Sequence, residues 1–275
     1  MNKFIIFTNT EKDEGLTLSK KITEYLSEKG AVSSIVCDAI LDNGTMDQFV
    51  KGADAAIVLG GDGTMLRATR GIGSYDIPLI GINLGTLGFL TEVEEVGVFD
   101  ALDMLLKDRY IIENRMMIEG TVGNETFHSL NDIVITRAGF SRVIGLNVYV
   151  NGQLLDTYEA DGVIVSTPTG STGYNLSAGG PIVSPKARVI VVTPISPHSL
   201  TSKSVVFDST DEIKIEIAKK RKTQDTEAIV SFDGGNSIDL GAGDVVSARI
   251  SLRTVRLIKV RDVNFYSVLR DKIGG

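Results

Sequence analysis

The chain has 275 residues, enough for one large domain or two ordinary ones, and its composition of 43% hydrophobic and 23% charged residues excludes disorder and fibrous structure. Against 28 basic residues stand 35 acidic ones, so the net charge of −7 leaves no global positive field for a nucleic-acid backbone, and any phosphate binding must be local. No apolar run reaches the ~18 residues of a membrane span and the N-terminal run is too short for a secretory signal, so the expectation is a cytoplasmic protein that engages no membrane and no nucleic acid.

The first hundred residues alternate apolar strand-like runs with helical patterns. "KFIIFT" leads into Leu18, Ile22, Tyr25 and Leu26, whose spacing makes one apolar helix face, closed by Gly30. "AVSSIV" reads as a second strand. "AAIVLG" reads as a third and feeds a glycine turn and a helix over "TMLRATR", "PLIGIN" follows as a fourth, and "VFDALDMLLKD" as a further helix. Strands alternating with helices predict a Rossmann-like α/β domain with a parallel sheet, whose ligands sit at the carboxyl ends of the strands. The single cysteine, Cys37, can close no internal disulfide and reads as a packed thiol, while two histidines, His128 and His198, supply no Cys/His metal cluster.

After Arg109 the runs become short and β-like, from "MMIEGTVG" through "DIVITR", "GLNVYVNGQLL", "GVIVSTP" and "RVIVVTP" to "RISLRTVRLIKV", which predicts a mostly antiparallel β-sandwich domain. Asn-Gly within "YVNGQ" signals a tight hairpin. "NFYSVLRDKI" places Phe265, Val268, Leu269 and Ile273 at helical spacing, a terminal helix returning to the first domain. The expected division is therefore 1–109 with about 262–275, and 110–261.

Three stretches carry chemistry. In "VLGGDGTML", Gly60, Gly61 and Gly63 surround Asp62. A tight glycine turn lets backbone N–H groups approach phosphate closely; a carboxylate there repels phosphate unless a metal or a reacting hydroxyl stands between them. The alternative is a strand-to-helix turn capped by Asp62. "DGVIVSTPTGSTGYNLSAGGP" over residues 161–181 sets hydroxyls and glycines after a strand, suited equally to a diphosphate or sugar and to a capped helix start. "LNDIVITR" places Asn131 and Asp132 at the mouth of a strand, a pair suited to ribose hydroxyls and an adenine edge or to a structural turn. There is no G-x-x-x-x-G-K-[ST], G-x-G-x-x-G or G-x-S-x-G motif.

Together with "GINLGTLGFLTE" and "TPISPHSLTS", these stretches stand in the order and spacing of the bacterial NAD kinases, and the resemblance covers most of the chain. The resemblance implies phosphorylation of the adenosine-ribose 2′-hydroxyl of NAD by ATP or polyphosphate to give NADP, with the dinucleotide between an α/β and an antiparallel β domain. By motif, Asp62 corresponds to the catalytic aspartate, with Gly61 and Gly63 at the phosphates and Phe89 by the adenine. Asn131 and Asp132 match the family's Asn-Glu pair at adenosine. Asp161, Thr172, Gly173, Tyr174, Asn175, Leu176, Ser177 and Ser196 line the rest of the groove, and Arg67 and Arg142 contact phosphates by position.

Departures from the family pattern are Asp132 for the commoner Glu, Gly173 for Ala, Glu159 at an often basic position in the cofactor groove, and Gly235 where Gln is frequent. Magnesium is expected to arrive with the donor, since the chain has no dedicated metal cluster. A homodimer or homotetramer is expected, because the family assembles and sheet edges need covering. The rival readings are a kinase of a lipid or sugar hydroxyl and a dinucleotide sensor without turnover.

Overall fold

The structure is a computed structural model that describes residues 1–37, 47–72, 75–85, 88–139, 143–199, 201–218, 228–260 and 265–273. The chain divides into two units, Met1–Arg115 with Thr254–Gly275, and Met116–Arg253. The crossings lie a few residues from those expected at 109 and 261, because unbroken strands run through both, leaving no turn signal in the sequence.

The first unit contains β1 (Lys3–Thr8), α1 (Thr17–Glu28), β2 (Val32–Cys37), a short α2 (Asp47–Val50), β3 (Ala55–Gly60), α3 (Asp62–Ile72), β4 (Leu79–Asn83), a two-residue β5 (Val93–Glu94) and α4 (Val98–Leu106). Its strands run parallel in the order β2-β1-β3-β4. All six residues of β3 are buried, as a strand covered on both faces requires. Phe4, Ile6, Ile57 and Ile80 share one core with Leu18, Ile22 and Leu26 of α1 and Val98, Leu102 and Leu105 of α4, which is why those helices carry their apolar residues on one stripe.

Gly30, at φ +80°, ends α1 in a left-handed turn: its N–H donates to Ser27 O at 3.0 Å and that of Ala31 to Leu26 O at 2.9 Å. From β1 the chain passes to β2 on one side, and from β3 to β4 on the other. The strand order therefore reverses between β1 and β3, and the loops leaving their carboxyl ends flank the crevice where open parallel sheets bind ligands.

The second unit is antiparallel. Strands β6 (Ile111–Val122), β7 (Glu125–Ser129), β9 (Ile144–Val150), β10 (Gln153–Ala160), β14 (Ile213–Ile217) and β17 (Val245–Lys259) contribute to one sheet. A second sheet has the order β13 (Val205–Asp208), β12 (Val189–Ile195), β11 (Gly162–Ser166), β8 (Asp132–Arg137), β15 (Ala228–Phe232) and β16 (Ser237–Leu240). Ile118, Leu146, Val148 and Ile215 from one sheet and Ile133, Val163, Val165 and Val192 from the other form a shared core.

The Asn-Gly hairpin joins β9 to β10, with Asn151 and Gly152 at φ +50° and +81°. A four-residue α5 (Tyr174–Ser177) follows the hydroxyl-rich turn. The terminal helix, α6 (Phe265–Ile273), belongs to the first unit and sets the Phe265 ring 5.9 Å from that of Phe89. The expected architecture, an α/β domain with parallel strands followed by a mostly antiparallel β domain, is the one observed.

Candidate functional site

Two constellations emerge, one in each unit. In the first, the buried β3 ends at Gly60, and α3 begins at Asp62, two residues before the "TMLRATR" stretch read as helix. Gly60 sits at φ +156°, and a Cβ there would collide with the Thr64 side chain, so only glycine passes this point. Gly61 O accepts the N–H groups of Thr64 and Met65 at 2.9 and 3.0 Å, closing the first helical turn. The N–H groups opening α3 have no intrahelical acceptor, and Gly63 is exposed with nothing within 4 Å of a built Cβ. The turn thus offers donors and room to an anion.

Asp62 is not bare. Its Oδ2 accepts the Phe89 N–H at 2.8 Å and its Oδ1 the Leu90 N–H at 3.0 Å. A Cβ on Gly88 would overlap this carboxylate, so the residue before Phe89 must be glycine for the pair of bonds to form. The Gly88 N–H is itself fixed on Thr91 Oγ1 at 3.1 Å. A carboxylate accepts at about four lone-pair positions; two remain for a hydroxyl or a cation. The buried Arg115 ion-pairs with Glu113 at 2.9 Å. Burial lowers the Arg115 pKa, opposed by Glu113 and Asp62, so a guanidinium lies within electrostatic reach of Asp62. Sequence reasoning missed both Gly88 and Arg115.

Phe89 is half-buried, with the Lys272 ammonium 5.4 Å from its ring centroid on one element and Phe265 on the same helix. Arg67 stands one turn into α3, donating to Thr64 Oγ1 at 3.4 Å.

In the second unit Asn131 and Asp132 open β8, and Asp233 holds their backbone: it accepts the N–H groups of Leu130, Asn131 and Asp132 at 2.7, 2.8 and 3.1 Å. Asp233 itself sits in the left-handed region at φ +49°, followed by Gly234 at +62°. The Asp132 carboxyl is buried, and its pKa is pushed up to about 7 by desolvation and then by the Asp233 charge. Among the described residues Asn131 Oδ1 is buried without a partner, an open acceptor.

The hydroxyl-rich turn closes over the same strand mouth. Thr167 Oγ1 donates to Leu130 O at 2.6 Å and its N–H to Asn131 O at 2.9 Å. A Cβ on Gly170 would collide with Asn131 O, and one on Gly173 would meet Asn131 Nδ2 at 3.5 Å. The two motifs are thereby one assembly, a link invisible in either alone.

Thr172, Gly173 and Leu176 are half-buried there, and Tyr174 and Ser177 are exposed. Asn175, expected to line the groove, is instead fully buried: its Nδ2 donates to Ser171 O and Pro181 O at 3.1 and 3.0 Å, and its Oδ1 accepts the Thr193 hydroxyl at 2.7 Å. With both amide donors spent, it holds the loop that presents its neighbours. Asp161 pairs with Arg137 Nε at 2.8 Å. Glu159 is exposed on β10, Ser196 is exposed at φ +45° just past β12, and Arg142 lies outside the described residues. Among the described residues no group of three or more His, Cys, Asp or Glu side chains is placed to hold a metal.

Two family models match: the ATP-NAD kinase N-terminal domain over residues 4–110 and the ATP-NAD kinase C-terminal domain over residues 130–260. An NAD kinase of Lachnoclostridium phytofermentans is 44% identical over 283 residues, covering 100% of this chain and 99% of the relative, and one of Agathobacter rectalis is 45% identical with the same coverage. Among solved structures, an NAD kinase from Archaeoglobus fulgidus in complex with ATP has TM-score 0.81 at 25% identity, covering 98% of this chain and 99% of that one. Yeast NADH kinase complexed with NADH has TM-score 0.86 at 24% identity, covering 99% and 88%. The matched models span both units and include the Asp62 turn and the Asn131–Asp132 strand mouth, and the chain belongs to the NAD kinase family.

Proposed function

We propose that the chain transfers a phosphoryl group from ATP, or from polyphosphate, to the adenosine-ribose 2′-hydroxyl of NAD, giving NADP. The observation that carries this reading is the Asp62 carboxylate, pinned by the Phe89 and Leu90 N–H groups at the head of a glycine turn in a chain of this family. Such transfer needs positioning, charge neutralisation and an acceptor for the hydroxyl proton. Asp62 takes that proton on a lone pair its backbone donors leave open. Gly61 and Gly63 let the donor's phosphates approach backbone N–H groups. Magnesium, carried in with the donor, would lower the charge of the transferring group.

In the second unit the Asn131 amide and the Asp132 carboxyl bind adenosine, and Asp132, whose pKa burial and the Asp233 charge raise to about 7, can donate when protonated as well as accept. Thr172, Tyr174 and Ser177 line the surrounding groove; Glu159 and Gly235, where the chain departs from the family pattern, bear on the nicotinamide side and on the choice between NAD and NADH. Incubation with NAD, ATP and magnesium should yield NADP, and a chain that binds NAD yet forms none would refute the reading in favour of a sensor. The enzyme is a cytoplasmic homodimer or homotetramer; light scattering that finds particles of one chain's mass would contradict the assembly.

A further inference from the structure

Lys12 lies outside every motif quoted above, in the loop that leaves the carboxyl end of β1. That loop is tightly built. The Asn9 N–H donates to Leu59 O at 3.1 Å, tying it to β3 one residue before Gly60. Asn9 O accepts the N–H groups of Lys12 and Asp13 at 3.1 and 2.9 Å, and Asn9 Oδ1 that of Glu11 at 2.9 Å. The buried Asp13 carboxylate then accepts the N–H groups of Leu18 and Ser19 at 2.8 and 3.1 Å and the hydroxyls of Thr8 and Ser19. The Lys12 backbone is thus held between a tether to β3 and a clamp on α1, while its side chain is exposed.

The Lys12 ammonium reaches the glycine turn: Nζ lies 3.5 Å from where a Cβ on Gly61 would stand and 4.0 Å from one on Gly85. Among the described residues it has no ion-pair or hydrogen-bond partner. Asn83, the last residue of β4 and 3% exposed, points at the same place. Its Nδ2 donates to Gly85 O at 2.6 Å, whereas its Oδ1 is buried without a partner, 4.0 Å from the Gly61 Cβ position. An acceptor lacking a donor and an ammonium lacking an acceptor therefore both lie within 4.0 Å of the Gly61 Cβ position without bonding each other, at the strand-order reversal between β1 and β3. A buried amide oxygen left unpaired is costly, and an ammonium with three donors can satisfy it and an anion together.

We propose that Lys12 binds a phosphate of the phosphoryl donor above Gly61, and that Asn83 is a positioning residue whose Oδ1 holds the ammonium there. The proposal rests on the kinase reading above. It gives the turn its own positive charge beside Asp62, so neutralisation of the donor does not fall to magnesium alone. Lys12 then serves the donor and not NAD.

The test compares the full-length parent with Lys12→Ala and Lys12→Arg, by initial rates of NADP formation and by calorimetric titration with inorganic tripolyphosphate. In Lys12→Ala the KM for ATP should rise at least tenfold and the tripolyphosphate affinity fall at least tenfold, with the KM for NAD within twofold of the parent. Lys12→Arg should recover most of both. Asn83→Ala should weaken tripolyphosphate binding in the parent and have no further effect in Lys12→Ala, since the two act as a unit; an additive loss would overturn the positioning role. Unchanged tripolyphosphate affinity in Lys12→Ala would overturn the proposal. A parent that makes no NADP but binds tripolyphosphate through Lys12 would sink the kinase reading and leave this site standing.

Discussion

Gly88→Ala is the substitution most sharply specified by the structure. The added methyl would fall on the Asp62 carboxylate itself, so the side chain must swing away from the Phe89 and Leu90 N–H groups. Hydrogen bonds to a charged group contribute about 1.5–3 kcal/mol each. Asp62 is only half-buried and its freed donors can reach water, so the net loss should be about 1–3 kcal/mol for the pair. In a chain of this size that corresponds to a melting temperature lower by roughly 2–10 °C. A base misplaced by about 1 Å loses on the order of 10² in rate, so kcat for NADP formation should fall about a hundredfold or more while NAD binding stays near normal. Steady-state kinetics at saturating NAD and ATP, with thermal unfolding beside them, checks both. An unchanged kcat and an unchanged melting temperature would show that the Asp62–turn contact neither shapes the site nor holds it.

Gly63→Ala should do the reverse: with open space around the new methyl in the first turn of α3, stability rises by about 0.5–1 kcal/mol from helix propensity. The KM for ATP should rise several-fold because the methyl occupies the donor's approach; an unchanged KM would remove Gly63 from the phosphate path. Asp132 gives a pH signature. Its folded pKa of about 7 lies above the ordinary 3.8, so its contribution to stability is undiminished below about pH 4, is lost as pH rises from there to 7, and is constant above. The loss has an upper bound of about 4 kcal/mol. Asp132→Asn should flatten that stretch in urea midpoints taken from pH 4 to 8, and a variant with the parent's slope would assign the titration elsewhere.

Local pattern made most of the first unit legible, because a buried parallel strand and an amphipathic helix announce themselves within ten residues: β1, α1, β3 and α4 fall where the apolar spacing put them. The strands that went unread, β5, β13 and β16, have two to four residues, too few for any period. At the site, "GGDG" was legible as a tight glycine turn carrying a carboxylate between a strand and a helix. What stood hidden were partners distant in sequence, such as Phe89 at 27 residues from Asp62, and Asp233 about a hundred residues from the strand mouth it braces. Asn175 shows the converse. Its residue type suits a ligand or a buried loop clasp equally, and only the positions of Ser171, Pro181 and Thr193 around it decide.

The central claim, that Asp62 accepts the proton of the attacking hydroxyl, is tested most directly by the kinetics of Asp62→Asn. The amide keeps the shape and can still accept one backbone N–H bond, but it is no base. Turnover of NAD with magnesium and ATP should fall by roughly 10²–10⁴-fold, while the dissociation constant for NAD, measured by calorimetry on the same preparation, changes less than about threefold. A variant that turns over at close to the parent's rate would leave the glycine turn a phosphate cradle and take Asp62 out of the chemistry.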